Sequence, residues 1–215
     1  MVQASKNVSS HDRLRARLKL AVHQSLLEAT ERSIVEDGVE GASLQSIAKR
    51  AGVAVGTIYN YFSDRQELFR ELFSKRRSEM LTAIDEGMRE SDREPFRAQL
   101  ERFAHVLLSY YDGRREFMRV VFASEPLRLQ MMCDKAGRMR PYAQELNARA
   151  ERVMRVGVRE GVVRDEDVVL FTSVFTSILK GVLVTALDED SKLSDIAPRA
   201  VRIFCQGALP TRKTT

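Results

Sequence analysis

Residues 44–62 constrain this chain more than any other stretch, because two short apolar faces sit either side of a glycine. Leu44, Ile47, Ala48 and Ala51 fall at helical spacing and form the first face. Gly52 ends it, since glycine takes up the left-handed backbone of a tight turn without steric cost. Val53, Ile58 and Phe62 form the apolar side of a second short helix. The small Ala48 lets the helices cross closely, and Ile58 fills the space under them. Short helix, glycine turn, short helix at this spacing is the sequence form of a helix-turn-helix. In that geometry the second helix enters the major groove of DNA. The other reading of the same residues is an ordinary helical hairpin with a polar, solvent-facing side.

The groove-facing side of the second helix would carry Val55, Gly56, Thr57, Tyr59, Asn60 and Tyr61. Gly56 permits close backbone approach. Thr57 offers a hydroxyl and a methyl, Asn60 can pair bidentately with an adenine edge, and tyrosine hydroxyls reach phosphates. Ser63 and Gln66 match a capping box for the next helix. Arg65, in its first turn beside free backbone N–H groups, could grip a phosphate.

Charge points the same way. Of 35 Lys+Arg and 30 Asp+Glu, residues 1–77 hold 13 and 9, an excess of four positive charges. The remaining residues balance to one, so a polyanion would favour the first third. Lys6, Arg13, Arg15 and Arg17 lie in or just after a polar N-terminal arm, residues 1–12. That arm reads either as a minor-groove contact or as a disordered tail.

The rest of the chain reads as helices. Leu14, Leu18, Ala21, Val22, Leu26, Ala29 and Val35 are periodic up to Gly38. A longer helix runs from about Asp64 to the Gly87 region, and residues 96–111, 114–123, 126–135 and 141–160 read as four more, the last capped by Gly161. Residues 168–187 carry one charge, Lys180. That segment is long enough to span a bilayer. Five Ser or Thr, the internal lysine and the lack of aromatic anchors favour a buried helix with no membrane role. Ser194 could N-cap a last helix ending before Gly207. The expected fold is all-α, with a helix-turn-helix domain at 1–77 and a second helical domain at 78–215.

Several classes are excluded. No Gly-rich phosphate loop with a following Lys-Ser/Thr is present, and no His–carboxylate or Cys–His pairing stands out, so an enzyme is not expected. Cys133 and Cys205 cannot build a disulfide framework and suit a reducing, cytoplasmic setting. His11, His23 and His105 lie far apart, so no metal and no cofactor is expected. Residues 1–20 lack the apolar core of a secretory signal. The competing functional class is a helical protein-interaction module with no specific DNA role.

The window now resembles the tetracycline-repressor (TetR) family of bacterial transcription regulators. The resemblance rests on Ser43-Leu44-Gln45-Ser46-Ile47-Ala48, Ala51-Gly52-Val53-Ala54, Gly56-Thr57-Ile58-Tyr59-Asn60-Tyr61-Phe62 and Arg65-Gln66-Glu67-Leu68, with Leu26-Leu27-Glu28-Ala29 and Gly38 upstream. It covers roughly residues 17–70. Two positions depart from the pattern: Ala54 replaces the usual Ser cap, a loss of about 1 kcal/mol, and Ser33 stands where a large apolar residue is usual. The resemblance implies phosphate contacts at Ser43, Tyr61 and Arg65 and base reading at Gln45, Val55, Thr57 and Asn60. Tyr59 stays open between packing and phosphate contact.

It further implies a double-stranded DNA operator, a homodimer and a small-molecule effector, with repression as the output. The dimer would form through the last two helices as a four-helix bundle, placing Leu170, Ser173, Val174, Ser177, Ile178 and Gly181 at the interface. An adaptable apolar pocket is expected from the supply of Met and aromatic residues: Met80, Phe103, Tyr110, Met118 and Phe122. Plain core packing is the alternative for each of these. Arg114, Arg115 and Arg119 are candidate partners of an acidic ligand.

Overall fold

The computed structural model describes residues 10–131 and 143–208. Lys6, Met132, Cys133, Met139 and the expected helix starting at Pro141 therefore fall wholly or partly outside the described residues. Those residues form ten α-helices and two 3-10 turns, with no strand among them. The chain divides into two compact units between Leu72 and Phe73, inside helix α4 (Arg65–Gly87), where the sequence placed the boundary after Arg77.

The first unit opens with α1 (Ser10–Gly41). Gly38 breaks it at φ 71°, the stop the sequence signalled. Arg13, Arg15 and Arg17 lie on this helix and not in an extended arm. Leu14 and Leu18 do not join the core: both are more than half exposed. Burial begins further along, with Leu26, Leu27, Ala29 and Ile34. Also buried are Ile47 and Ala48 of α2 (Leu44–Ala51), which packs on α1, Ile58 of α3 (Val55–Tyr59), Phe62, and Leu68 and Leu72 of α4. Ile58 is fully buried, and truncating such a side chain costs about 2–5 kcal/mol. Ser33 is fully buried too, and its hydroxyl has no partner among the described residues.

The second unit holds α5 (Phe96–Asp112), α6 (Arg115–Ala123), α7 (Glu125–Met131), α8 (Ala143–Arg159), α9 (Val168–Ala186) and α10 (Ala197–Ala208). Its core is an aromatic ladder. The Phe103 ring of α5 lies 5.9 Å from Phe175 of α9, which lies 5.2 Å from Phe204 of α10. The acids Asp165, Glu166 and Asp167 form a 3-10 turn ahead of α9. Gly161 takes φ 71° after α8, as its capping role requires.

Two expectations fail at the chain end. Ser194 is not an N-cap; it lies inside a 3-10 turn, Leu193–Ile196, whose Leu193 and Ser194 amides are capped by Asp112 of α5 at 2.8 and 3.0 Å. A tertiary carboxylate takes the job a local hydroxyl was expected to do. Gly207 does not stop α10, which runs through it to Ala208.

Helix α9 is not buried on all sides. Val168, Thr172, Phe175, Thr176, Leu179, Leu183 and Ala186 form one buried stripe, against α8, α5 and α10. Val169, Leu170, Val174 and Val184 remain exposed on the other side, with Val169 at 70%. By length and composition alone the segment Asp165–Ala186 could cross a membrane, and a third of it is buried within the fold.

Candidate nucleic-acid interface

The helix-turn-helix is assembled by local chemistry. Ser43 N-caps α2, its hydroxyl accepting from the Ser46 N–H at 3.1 Å. Gly52 closes α2 at φ 70°. Arg50 ties α2 to α1, pairing with Asp37 at 2.7 Å and with Glu36. Ala54 precedes α3 in extended conformation and supplies no side-chain cap. The missing serine therefore leaves the first amides of α3 uncapped by a side chain, and α3 is only five residues long.

The expected reading side divides by exposure. Gln45, Gly56, Tyr59 and Asn60 are exposed, while Ser43, Val55, Thr57 and Tyr61 are half-buried. Tyr59 is 57% exposed, so packing does not account for it. A Cβ added at Gly56 would meet nothing within 4 Å. No neighbour within the fold requires glycine there, although glycine inside a helix costs about 1 kcal/mol relative to alanine. Tyr61 leans toward His23, ring centroids 6.2 Å apart, while His23 stacks on Phe62 at 5.1 Å.

Arg65 also has partners within the fold. Its Nε donates to the Ala42 carbonyl at 2.8 Å, Nη2 donates to the Val39 carbonyl, and the guanidinium stands 4.7 Å over the Phe69 ring. These carbonyls follow the Gly38 break, where the backbone leaves helical φ/ψ. The cation closes that turn. The capping box is shifted by one residue. Asp64 Oδ1 accepts from the Glu67 N–H at 2.7 Å, and Glu67 Oε2 accepts from the Ser63 N–H at 2.5 Å. Ser63, through hydroxyl and backbone, holds the Glu67 carboxyl below its usual range. Ser63 and Gln66 had been expected to form this pair. The residue triplet Ser-Asp-Arg allows either register, and only the start of α4 decides between them.

Residues 26–72 match the pattern of the bacterial regulatory proteins of the tetR family. That stretch of the chain carries the tetR-family pattern. The chain is 34% identical over 85 residues to the uncharacterized HTH-type transcriptional regulator YhgD of Bacillus subtilis, covering 40% of this chain and 44% of that one. It is 31% identical over 68 residues to the fatty acid metabolism regulator protein of the same organism, covering 32% and 35%. The chain thus spans less than half the length of these curated relatives. In fold it is similar to the transcriptional regulator FadR from Bacillus subtilis, solved in complex with stearoyl-CoA, with a TM-score of 0.70 at 18% identity. That likeness covers 86% of this chain and 98% of that one.

In the second unit, three of the five expected pocket residues converge. Met80, Tyr110 and Met118 line a partly open cavity of about 20 Å³ with Phe73, Tyr111 and Phe117. Phe103 does not: it is committed to the Phe175 ladder. Phe122 is half-buried and lies outside the lining. Helical periodicity cannot tell these destinations apart, because each aromatic sits on an inward face. The Tyr110 hydroxyl donates to the Arg76 carbonyl at 2.8 Å, and that of Tyr111 to Met80 Sδ at 3.1 Å. Glu79, missed in the sequence reading, gathers Arg76 at 2.8 Å and Arg114 at 3.1 Å at the cavity edge.

The other candidate ligand cations are also engaged. Arg115 bonds Asp112 at 2.9 Å and the Ser191 carbonyl at 2.6 Å, and Arg119 bonds the Leu187 carbonyl at 2.9 Å. On α9, Leu170, Val174, Ser177 and Gly181 are exposed, and Ser173 and Ile178 are half-buried. Ile203 of α10 adds a side chain 61% exposed.

Proposed function

We propose that this chain is a sequence-specific DNA-binding transcriptional regulator, a homodimeric repressor released by an apolar or amphipathic small molecule. The observation that carries the reading is the contrast within the helix-turn-helix. Ile47, Ala48, Ile58 and Phe62 are buried, while Gln45, Gly56, Tyr59 and Asn60 stand on its surface with no packing role. A glycine facing open space beside an amide and a phenol suits close approach to base edges and phosphates. Ser43, Val55, Thr57 and Tyr61 complete the contact set from partly exposed positions. A DNA operator as partner places the protein in the cytoplasm. Relatives named as transcriptional regulators support regulation over catalysis.

The exposed Val169, Leu170, Val174 and Val184 stripe with Ile203 supports a dimer through α9 and α10. Exposed apolar side chains gathered on one helix face suit an interaction surface. Gly181, where an added Cβ would meet nothing, allows close helix approach. The effector enters at Met80, Tyr110 and Met118 by displacing the flexible methionines, and the FadR complex with stearoyl-CoA supports an acyl-type ligand. Helix α4 carries Leu68 and Leu72 in the first unit and Met80 and Ile84 in the second. A ligand that favours one position of α4 therefore changes DNA affinity through its different affinity for the two states.

The test is a gel-shift on fragments of the host genome with excess competitor DNA. Specific retention that survives competition supports the regulator. Its absence, with protein partners captured instead, returns the chain to a helical interaction module.

A further inference from the structure

The charge of the second unit is not spread evenly. Five arginines, Arg89, Arg149, Arg152, Arg155 and Arg159, converge on one groove of about 420 Å³ between the C-terminal end of α4 and α8. Its floor is apolar, made by Ile84, Val153 and Val156. Asp85 and Asp92 are its two carboxylates, so the lining carries an excess of three positive charges.

The arginines differ in how they are satisfied. Arg149 makes a bidentate pair with Asp85 at 2.9 and 2.6 Å and fastens α8 to α4. Arg155 is held by Glu151 at 3.0 Å and Asp165 at 2.5 Å. Arg152 reaches Asp85 only at 3.9 Å, and Arg89 and Arg159 make no ion pair among the described residues. All three are exposed. On α8 the spacing is i, i+3, i+6 and i+10, which stacks like charges on one helix face. Like charges three or four apart destabilise a helix by a few tenths of a kcal/mol per pair. Against this, the ion pairing of the three is slight, since Arg152 reaches Asp85 only at long range and Arg89 and Arg159 make no ion pair among the described residues.

We propose that this groove is a binding site for a small anion bearing two or more linked phosphates. Guanidinium groups present planar donor forks that match phosphate oxygens bidentately. The three weakly paired forks are exposed at the rim of an apolar floor, free to turn onto a ligand in the groove. A groove of this volume holds a small molecule, within the usual range for ligand sites. Arg149, paired with Asp85, holds α8 to α4 while Arg89, Arg152 and Arg159 close on the ligand. A single carboxylate ligand would leave two forks unmatched. The site does not depend on the DNA-binding reading, since every residue in it lies in the second unit.

The experiment is calorimetric titration and thermal denaturation of the full chain at constant ionic strength, with sodium tripolyphosphate, ADP and citrate as probes. Tripolyphosphate and ADP are expected to bind and raise the melting temperature, by mass action on the folded state. Citrate is expected to bind at least tenfold more weakly. Equal or tighter binding of tripolyphosphate assigns the phosphate chain as the recognised group. Tighter binding of ADP assigns a nucleotide, with its base on the apolar floor. R89A/R152A/R159A should weaken either by tenfold or more, and Arg152→Glu alone should act in the same direction. R97A/R128A/K192A, which removes as much charge from exposed positions elsewhere, should leave binding within twofold. Absence of binding by both phosphate probes, citrate binding as tightly as tripolyphosphate, or equal losses in the two triple variants would each overturn the site. If duplex DNA binding falls in R89A/R152A/R159A while neither probe binds, the groove is a nucleic-acid surface and the proposal also fails.

Discussion

Arg65 Nε donates to the carbonyl oxygen of Ala42 at 2.8 Å, so the first turn of α4 is fastened to the turn that leads into α2. The same guanidinium serves Val39 and covers Phe69. A residue whose position suggests a phosphate contact is therefore part of the frame that carries the reading helix.

Replacing Arg65 by Ala should cost about 2–3 kcal/mol of stability, because charge-assisted bonds to two carbonyls are lost. Arg65→Lys should recover little, since one ammonium cannot serve both carbonyls while lying flat on Phe69. Urea denaturation gives the loss. In gel-shifts on stable preparations at low temperature, the salt slope of DNA binding should stay unchanged. A slope reduced by about 1 would instead make Arg65 a phosphate contact.

Gly56 and Asn60 separate fold from reading. Gly56→Ala should leave stability unchanged or raise it by up to about 1 kcal/mol, because the new methyl meets open space in a helix. The same methyl should weaken operator binding tenfold or more. Asn60→Ala should relax preference at a single base pair, costing about 1–3 kcal/mol there with the salt slope unchanged. Binding selections on randomised operators measure both; unchanged preference in Asn60→Ala would remove it from base reading.

Val174 is 39% exposed on the unpartnered side of α9. Val174→Glu should therefore leave the helical fold intact by circular dichroism. In the dimer the charge would be desolvated at a cost of several kcal/mol, so the variant should sediment as a monomer and lose operator affinity. An intact dimer would place the interface elsewhere.

Asp112 couples the end of α5 to the turn before α10. Burial pushes its carboxyl up, but the Ser194 and Leu193 amides and Arg115 outweigh this and hold it below its usual value. Its folded-state value is depressed, so the stability it contributes is fully present above the unfolded value of about 3.9 and is lost as pH falls through the folded one. Asp112→Asn should melt lower than the parent at pH 7, and the gap should narrow below about pH 4. A gap independent of pH would show that the charge is not what matters.

Ser33 buries a hydroxyl with no partner among the described residues. Removing it removes a desolvated polar group, so Ser33→Ala should stabilise the first unit by about 1 kcal/mol. Thermal melts decide this; a destabilisation of similar size would mean the hydroxyl is hydrogen-bonded in solution.

Much of the first unit was legible from the sequence alone. Gly38 and Gly52 mark backbone reversals that other residues reach only at a cost, and Ile47, Ala48, Ile58 and Phe62 fall at a spacing that marks the inward faces of two short helices. Those are local properties, so they can be read without knowing what lies across the core. The second unit was legible in its helices but not in their partners. That Asp112 caps the Leu193 and Ser194 amides, that Phe103 joins Phe175 instead of a pocket, and that Arg65 closes onto Ala42 all link residues far apart in the chain. Each inward-facing aromatic or cation had several chemically equivalent destinations. Helical periodicity fixes which face a side chain occupies, while the neighbour it meets depends on how the helices cross, and only the tertiary structure decides that.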